Sequence, residues 1–206
     1  MPKMTGARYL AEAFKGYGVT HVFFVPTILS LALTEMEERT EIQRIMTHGE
    51  KAAVYMADGY ARASGRPGIC MAQTVGAANL AAGLRDPYLA CTPIIAFSGG
   101  AYPHTRNRHT YQEIEDFPFF KSVTKSSAYV DSVRRLPDVL RQAFRTATTG
   151  TPGPVHIELQ GQQGEVEEEE ADLDLTIEER FGQAPPFRPA ADDASVQEVA
   201  RLLGAA

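Results

Sequence analysis

The sequence holds 206 residues, of which 44% are hydrophobic and 22% charged, a balance that gives a globular chain with a sizeable core and room for one α/β domain plus an appendage. Its formal charge of -6 argues against a broad basic footprint for nucleic acid or for an anionic membrane surface. No stretch approaches the ~20 apolar residues of a membrane span, the N-terminus lacks the apolar run of a signal peptide, and Cys70 and Cys91 read as buried reduced thiols, which suits the cytoplasm.

In chain order, Thr5 is placed to cap a helix carrying Ala7, Leu10, Ala11 and Phe14 on one face, closing near Gly16 and Gly18. The strand candidate HVFFV (21–25) follows, then a helix over about 28–38 and the strand IQRIM (42–46). The best-bounded helix opens at Glu50, places Ala53, Met56, Ala57 and Tyr60 at helical spacing, and stops at Gly65 and Pro67. Next come GICMAQ (68–73), a helix over 77–90 interrupted late by Pro87, and PIIAFS (93–98). The short strand SAYV (127–130), a helix over 133–148 and the strand PVHIEL (154–159) complete the pattern. Strand and helix alternate, and several strands lack polar alternation, as in a parallel sheet buried on both faces. The expected fold is α/β, with a mostly parallel central sheet of about six strands.

After Leu159 the composition changes. GQQGEVEEEEADLDL is acidic and QAPPFRPAADD is rich in proline and alanine, which reads as a solvated, extended linker. Residues 1–162 are therefore expected as the main domain and 163–194 as linker. In 195–206, Ser195 is placed to cap the short amphipathic helix VQEVARLL, which cannot bury its apolar face alone. That helix reads as a docking element or as the start of a truncated further domain.

Ligands of open parallel sheets sit at the carboxyl ends of the strands. The loops there read Pro26-Thr27, Thr47-His48-Gly49-Glu50, Thr74-Val75-Gly76-Ala77-Ala78-Asn79 and Gly99-Gly100, and Glu50 is the one acid in the first three. No GxGxxG follows the first strand and no GxxxxGK[ST] occurs, so a phosphate cradle of either nucleotide-binding type is missing. HExxH, paired CxxC and GxSxG motifs are missing too. Further on, His104 and His109 flank Arg106 and Arg108 in PHTRNRHTYQE, as an exposed polar loop or as groups able to shuttle protons or hold a carboxylate.

The stretches THGEKAAVYMADGYARASGRPG and QTVGAANLAAGLRDPYLACTPIIAFSG resemble the pyrimidine-binding domain of thiamine-diphosphate-dependent enzymes of the acetolactate synthase, pyruvate oxidase and benzoylformate decarboxylase group. The likeness continues through HTYQEIEDFPFFKSVTKSSAYV and TGTPGPVHIEL, covering most of residues 4–160 with the motifs in the family's order. It implies a three-layer α/β/α fold and Glu50 as the carboxyl group that hydrogen-bonds N1' of the cofactor aminopyrimidine. Proton exchange there lets the 4'-amino group remove the thiazolium C2 proton, after which a 2-oxo acid is attacked and decarboxylated. Pro26, Thr74, Gly76 and Asn79 match the cofactor side of the site, and Gln112 matches a glutamine on its substrate side, beside the candidates His104 and His109. Phe24 and Thr27 stand where many members carry glycines, and Val75 and Ala78 replace the more frequent proline and threonine.

In this family a separate domain holds the diphosphate through Mg2+ with a GDG motif, and none occurs here. The resemblance thus implies half a site, inactive alone, completed by a diphosphate-binding domain or subunit in a homodimer or higher oligomer. A natural small subunit of a split decarboxylase and a non-catalytic dimerisation or regulatory module are the alternatives. The terminal helix resembles the opening of the family's central domain.

Overall fold

The computed structural model describes residues 2–113 and 117–205. A short strand, β1 (Lys3–Thr5), leads into α1 (Gly6–Gly16). Thr5 caps that helix as expected: its hydroxyl accepts from the Arg8 amide at 3.2 Å and satisfies one of the N–H groups that a helix start leaves unpaired. Four further units follow: β2 (His21–Phe24) with α2 (Ser30–Arg39), β3 (Gln43–Met46) with α3 (Glu50–Ser64), β4 (Gly68–Ala72) with α4 (Ala77–Leu89), and β5 (Ile94–Gly100) with the one-turn α5 (Phe117–Phe120). The chain continues through β6 (Ser126–Val130), α6 (Leu136–Thr148), β7 (Val155–Gln160), β8 (Glu170–Asp172) and α7 (Asp193–Gly204).

Six strands form one parallel sheet in the order β3-β2-β4-β5-β7-β6. Consecutive side chains of a strand face opposite sides, which divides the core into two layers. On β4, Ile69 and Met71 pack with α1, α2 and α6, whereas Cys70 and Ala72 pack with α3 and α4. The result is the expected three-layer α/β/α fold. The first layer is built from large side chains, among them Phe14, Met36, Phe97 and Tyr17, whose ring stacks on Phe144 with centroids 3.7 Å apart. The second is lined largely by Ala53, Ala57, Ala61, Ala77 and Ala96. Such small groups let α3 lie close on the sheet, where a Cβ added to Gly68 would sit 2.3 Å from the Ala57 carbonyl oxygen.

Several boundaries depart from the sequence reading for identifiable reasons. The second helix starts at Ser30 because Leu29 takes a left-handed φ of 49°. Pro87 lies inside α4 without ending it, since a proline one turn from the carboxyl end removes a single bond of the helix ladder. Residues Val133–Arg135 form a 3₁₀ turn before α6. The last helix is capped by Asp192 rather than Ser195: the Ser195 amide and hydroxyl both donate to the Asp192 carboxylate, at 2.9 and 2.6 Å. Cys70 is buried and burial pushes its thiol far up, but Cys91 is exposed, correcting the pairing of the two as buried thiols. Its φ of 56° ends the turn after α4 on the surface.

The larger correction concerns the acidic run. Val166, Glu167, Ala171, Leu173 and Phe181 are buried, and β8 pairs antiparallel with β1. Residues 163–182 are thus packed on the domain where composition suggested a solvated linker. Alternate glutamates turn inward onto backbone N–H groups: Glu165 accepts from Gln163 (2.9 Å), Glu167 from Leu31 and Ala32 (3.0 and 2.7 Å), and Glu169 from Val133 (3.0 Å). Glu168 and Glu170 point out. Charge counting cannot see this two-residue alternation. No described helix is long and apolar enough to cross a membrane.

Candidate functional site

The connection from β2 runs outward to β3, and the next returns across β2 to β4. Loops after β2 and β4 therefore diverge at a switch point, where such sheets open a crevice. The Val25 amide extends the pairing by donating to the Met71 carbonyl at 3.3 Å, so Pro26 leaves the sheet beside the end of β4, exposed. Thr27 follows with φ 77°, a conformation that costs a branched residue about 1–3 kcal/mol. This is one of the two positions where the resembling family commonly has glycine; the other, Phe24, ends β2 in regular strand pairing.

Thr47 binds the end of β3 to the end of β2. Its amide donates to the Phe24 carbonyl at 2.8 Å, and its hydroxyl lies 3.2 Å from that oxygen and 3.0 Å from the Gly49 carbonyl. Gly49 is extended and Glu50 becomes the first residue of α3, where the unpaired N–H groups of a helix start favour a carboxylate. Glu50 is half-buried. The Asn79 side-chain amide donates to its Oε2 at 3.0 Å. Gly76 stands against the same carboxylate: a Cβ there would lie 2.7 Å from both Cγ and Oε1 of Glu50, so no larger residue fits without displacing the acid.

The structure thus brings together three of the candidates, Glu50, Gly76 and Asn79. Thr74 belongs to the same turn but serves another contact, with its amide and hydroxyl 2.9 and 3.1 Å from the Gln162 carbonyl. His48 is exposed. His104, His109 and Gln112 lie on the loop after β5, and no hydrogen bond among the described residues joins any of them to Glu50. That loop folds on itself through the Glu113 carboxylate, which accepts from the Asn107 and Thr110 amides. His104 and His109 are exposed, and the His104 ring lies 5.3 Å from Tyr102. Gln112 has φ 61°, and its buried Oε1 lacks a hydrogen-bond partner among the described residues. Arg106 is directed at the protein, 3.9 Å from Glu158 and 4.8 Å over the Tyr129 ring. Residues 114–116 of the HTYQEIEDFPFF motif lie outside the described residues.

The family model described as thiamine pyrophosphate enzyme, N-terminal TPP binding domain, matches residues 4–119. The chain belongs to this family. It is similar to a probable acetolactate synthase large subunit of Methanocaldococcus jannaschii, 32% identical over 189 residues, which covers 90% of this chain and 31% of the relative. Acetolactate synthase 2, chloroplastic, of Nicotiana tabacum is 37% identical over 156 residues, covering 75% of this chain and 24% of the relative. Acetolactate synthase of Arthrospira platensis is 33% identical over 162 residues, covering 76% and 28% respectively. The chain spans less than a third of the length of these curated relatives.

Within this TPP-binding domain, sequence reasoning missed the groups supplied after β7. Gln162 holds the Thr74 turn through its carbonyl, and its side-chain amide donates to the Tyr111 carbonyl. The Gln163 carbonyl accepts from the Leu29 amide at 2.9 Å. Glu167 then caps α2. Burial pushes its carboxyl up to about 7, opposed by the Ala32 and Leu31 amides and reinforced by Glu168 and Glu165. His156, on β7, was also read only as strand. It is buried between the Ser98 and Ser127 hydroxyls at 2.8 and 2.6 Å and stacks on Phe120, and burial depresses its imidazole to about 3. This is a core residue. The polar pair His156 and Glu158, two apart on a buried strand, was the signal available for it.

Proposed function

We propose that this chain supplies the aminopyrimidine-binding half of a thiamine-diphosphate site that acts on 2-oxo acids in an acetolactate-synthase-like enzyme, with Glu50 as the proton-exchanging group. The observation that carries this reading is the Glu50 carboxylate at the start of α3, oriented by Asn79 and given space by Gly76. A carboxyl group so held fits the ring nitrogen of an aminopyrimidine, because one oxygen is fixed while the half-exposed group still reaches outward. When bound, the cofactor supplies a carbon nucleophile and an electron sink for decarboxylation. Glu50 exchanges a proton with N1' of the ring, Asn79 keeps the carboxylate aimed, and Gly76 lets ring and acid approach. Pro26 and Thr27 border the same opening, and Gln112 with the histidines His104 and His109 lies on the loop assigned to the substrate side.

A diphosphate-binding domain or subunit completes the site, holding Mg2+ with the GDG motif that this sequence lacks. Assembly through a second copy is supported by the exposed Tyr55 and Met56 of α3, with Val75 and Leu89 around α4. Location in the cytoplasm belongs to the same proposal and is supported by the two free thiols.

In the assembled enzyme with thiamine diphosphate and Mg2+, Glu50→Gln is expected to slow hydrogen–deuterium exchange at cofactor C2 by about 10²-fold or more. Unchanged exchange would remove Glu50 from the role. Calorimetry on the 206-residue chain tests the half-site: tight Mg2+-dependent binding of the cofactor by this chain alone would refute it.

A further inference from the structure

We propose that Glu167 is a positioning residue for the cofactor half-site: its carboxyl group fastens the start of α2 to the segment after β7, fixing the Pro26–Leu29 loop. The proposal rests on the cofactor reading of the site given above.

The geometry begins with a helix that lacks a cap of its own. Leu29 sits at the N-cap position in a left-handed conformation and offers no side-chain acceptor. The start of α2 would leave several N–H groups unpaired. Glu167, far away in sequence, answers two of them, with Oε1 3.0 Å from the Leu31 amide and Oε2 2.7 Å from the Ala32 amide. Both oxygens are used, each facing one backbone amide.

The same segment grips the rest of the edge. The Gln163 carbonyl accepts from Leu29, the residue that closes the Pro26–Thr27 loop, and the Gln162 carbonyl accepts from Thr74, which begins the turn containing Gly76. Residues 162–167 therefore tie both loops of the switch point to β7. On the β2 side the tie ends at Glu167. Thr27 and Leu29 are held at φ 77° and 49°, and conformations of that kind persist only where the surroundings enforce them.

The surroundings of Glu167 make its charge conditional. It is 5% exposed. The charged groups acting on it from its own segment, Glu165 and Glu168, are of like sign. α2 faces it with the Leu31 and Ala32 amides, and α1 approaches the segment through Gly6, whose amide donates to the Glu169 carbonyl at 3.0 Å. Among the described residues, no Lys or Arg forms an ion pair with Glu167. A buried carboxyl with its proton affinity raised to about 7 changes charge near neutrality.

Two measurements on the intact enzyme test this. Amide exchange at pH 8 without cofactor should show the protection of the Leu31 and Ala32 N–H groups, relative to those of α6, falling about fivefold in Glu167→Gln, the size of a lost helix cap. At the same pH, Glu167→Gln should raise the KM for thiamine diphosphate by about fivefold and change kcat by less than about twofold. An amide ratio equal to wild type overturns the clasp, and so does a KM equal to wild type. If the wild-type enzyme binds no thiamine diphosphate, the cofactor reading itself falls, while the amide ratio still decides whether Glu167 acts as the cap of α2.

Discussion

Two helices start at the carboxyl edge of the sheet, and each meets a glutamate in a different way. Glu50 is the first residue of its own helix, α3, half-exposed, with one oxygen on Asn79. Glu167 caps α2 from 135 residues away, is buried, and spends both oxygens on backbone amides. The first carboxylate is oriented yet keeps part of its surface open to solvent, and the second is consumed in holding the frame. Position relative to the helix dipole is shared, so the distinction comes from solvent access and from the number of internal donors.

The comparison is tested most severely at Glu50. Glu50→Gln should abolish at least about 10²-fold of C2 exchange in the assembled enzyme, while moving the urea midpoint little, because an exposed first-turn charge contributes only about 0.3–1 kcal/mol. A large loss of stability would make Glu50 a second structural cap and erase the contrast.

Glu167 should behave in the opposite manner, and the sign follows from linkage. Its carboxyl is raised from 4.5 to about 7 in the fold, so the native state binds the proton more tightly than the unfolded chain. The stability this confers is complete below pH 4.5 and is lost as pH rises through 7. Urea unfolding of wild type against Glu167→Gln should therefore show wild type losing ~2–3 kcal/mol relative to the variant between pH 4.5 and 8. The pairwise difference cancels other titrations, including that of His156. A flat difference would mean that Glu167 keeps its ordinary affinity for protons.

A smaller effect is expected at Gly76. The Cβ of Gly76→Ala would press on Cγ and Oε1 of Glu50, and a displaced carboxylate should lower C2 exchange by about tenfold, with a stability cost of about 1–3 kcal/mol. The smallest effect belongs to Thr74→Val, which removes the hydroxyl contact to Gln162 but keeps the amide contact at 2.9 Å. It should cost about 1 kcal/mol in urea unfolding, and a neutral result would leave the amide as the sole fastening of that turn.

What could be read from the sequence follows the range of the interactions. The place of Glu50 at the start of α3 was legible because the strand IQRIM, the turn THG and the helix spacing of Ala53 and Ala57 are local. The sheet was legible for the same reason, in runs such as GICMA and PIIAF. The Glu167 cap was not, since its donors lie on α2 and nothing around residue 167 announces them. The run EVEEEE looks uniform in charge but alternates in direction, with Glu165, Glu167 and Glu169 turned onto amides. Strands β1 and β8 were missed because three residues each carry too little pattern. Placing Ser195 as the cap failed by a narrow margin, as Asp192 offers the stronger acceptor one turn earlier.

The alanine-lined layer between α3 and the sheet acts as a spacer of fixed thickness. Gly68 lies at the far end of the layer from Glu50, yet a methyl group there would meet the Ala57 carbonyl at 2.3 Å, and neither backbone can step aside. Enlarging that residue would lift the helix like a shim under a beam and carry the carboxylate off its line. The constraint is local to Gly68, since Val54, Leu80 and Leu84 find room elsewhere in the same layer.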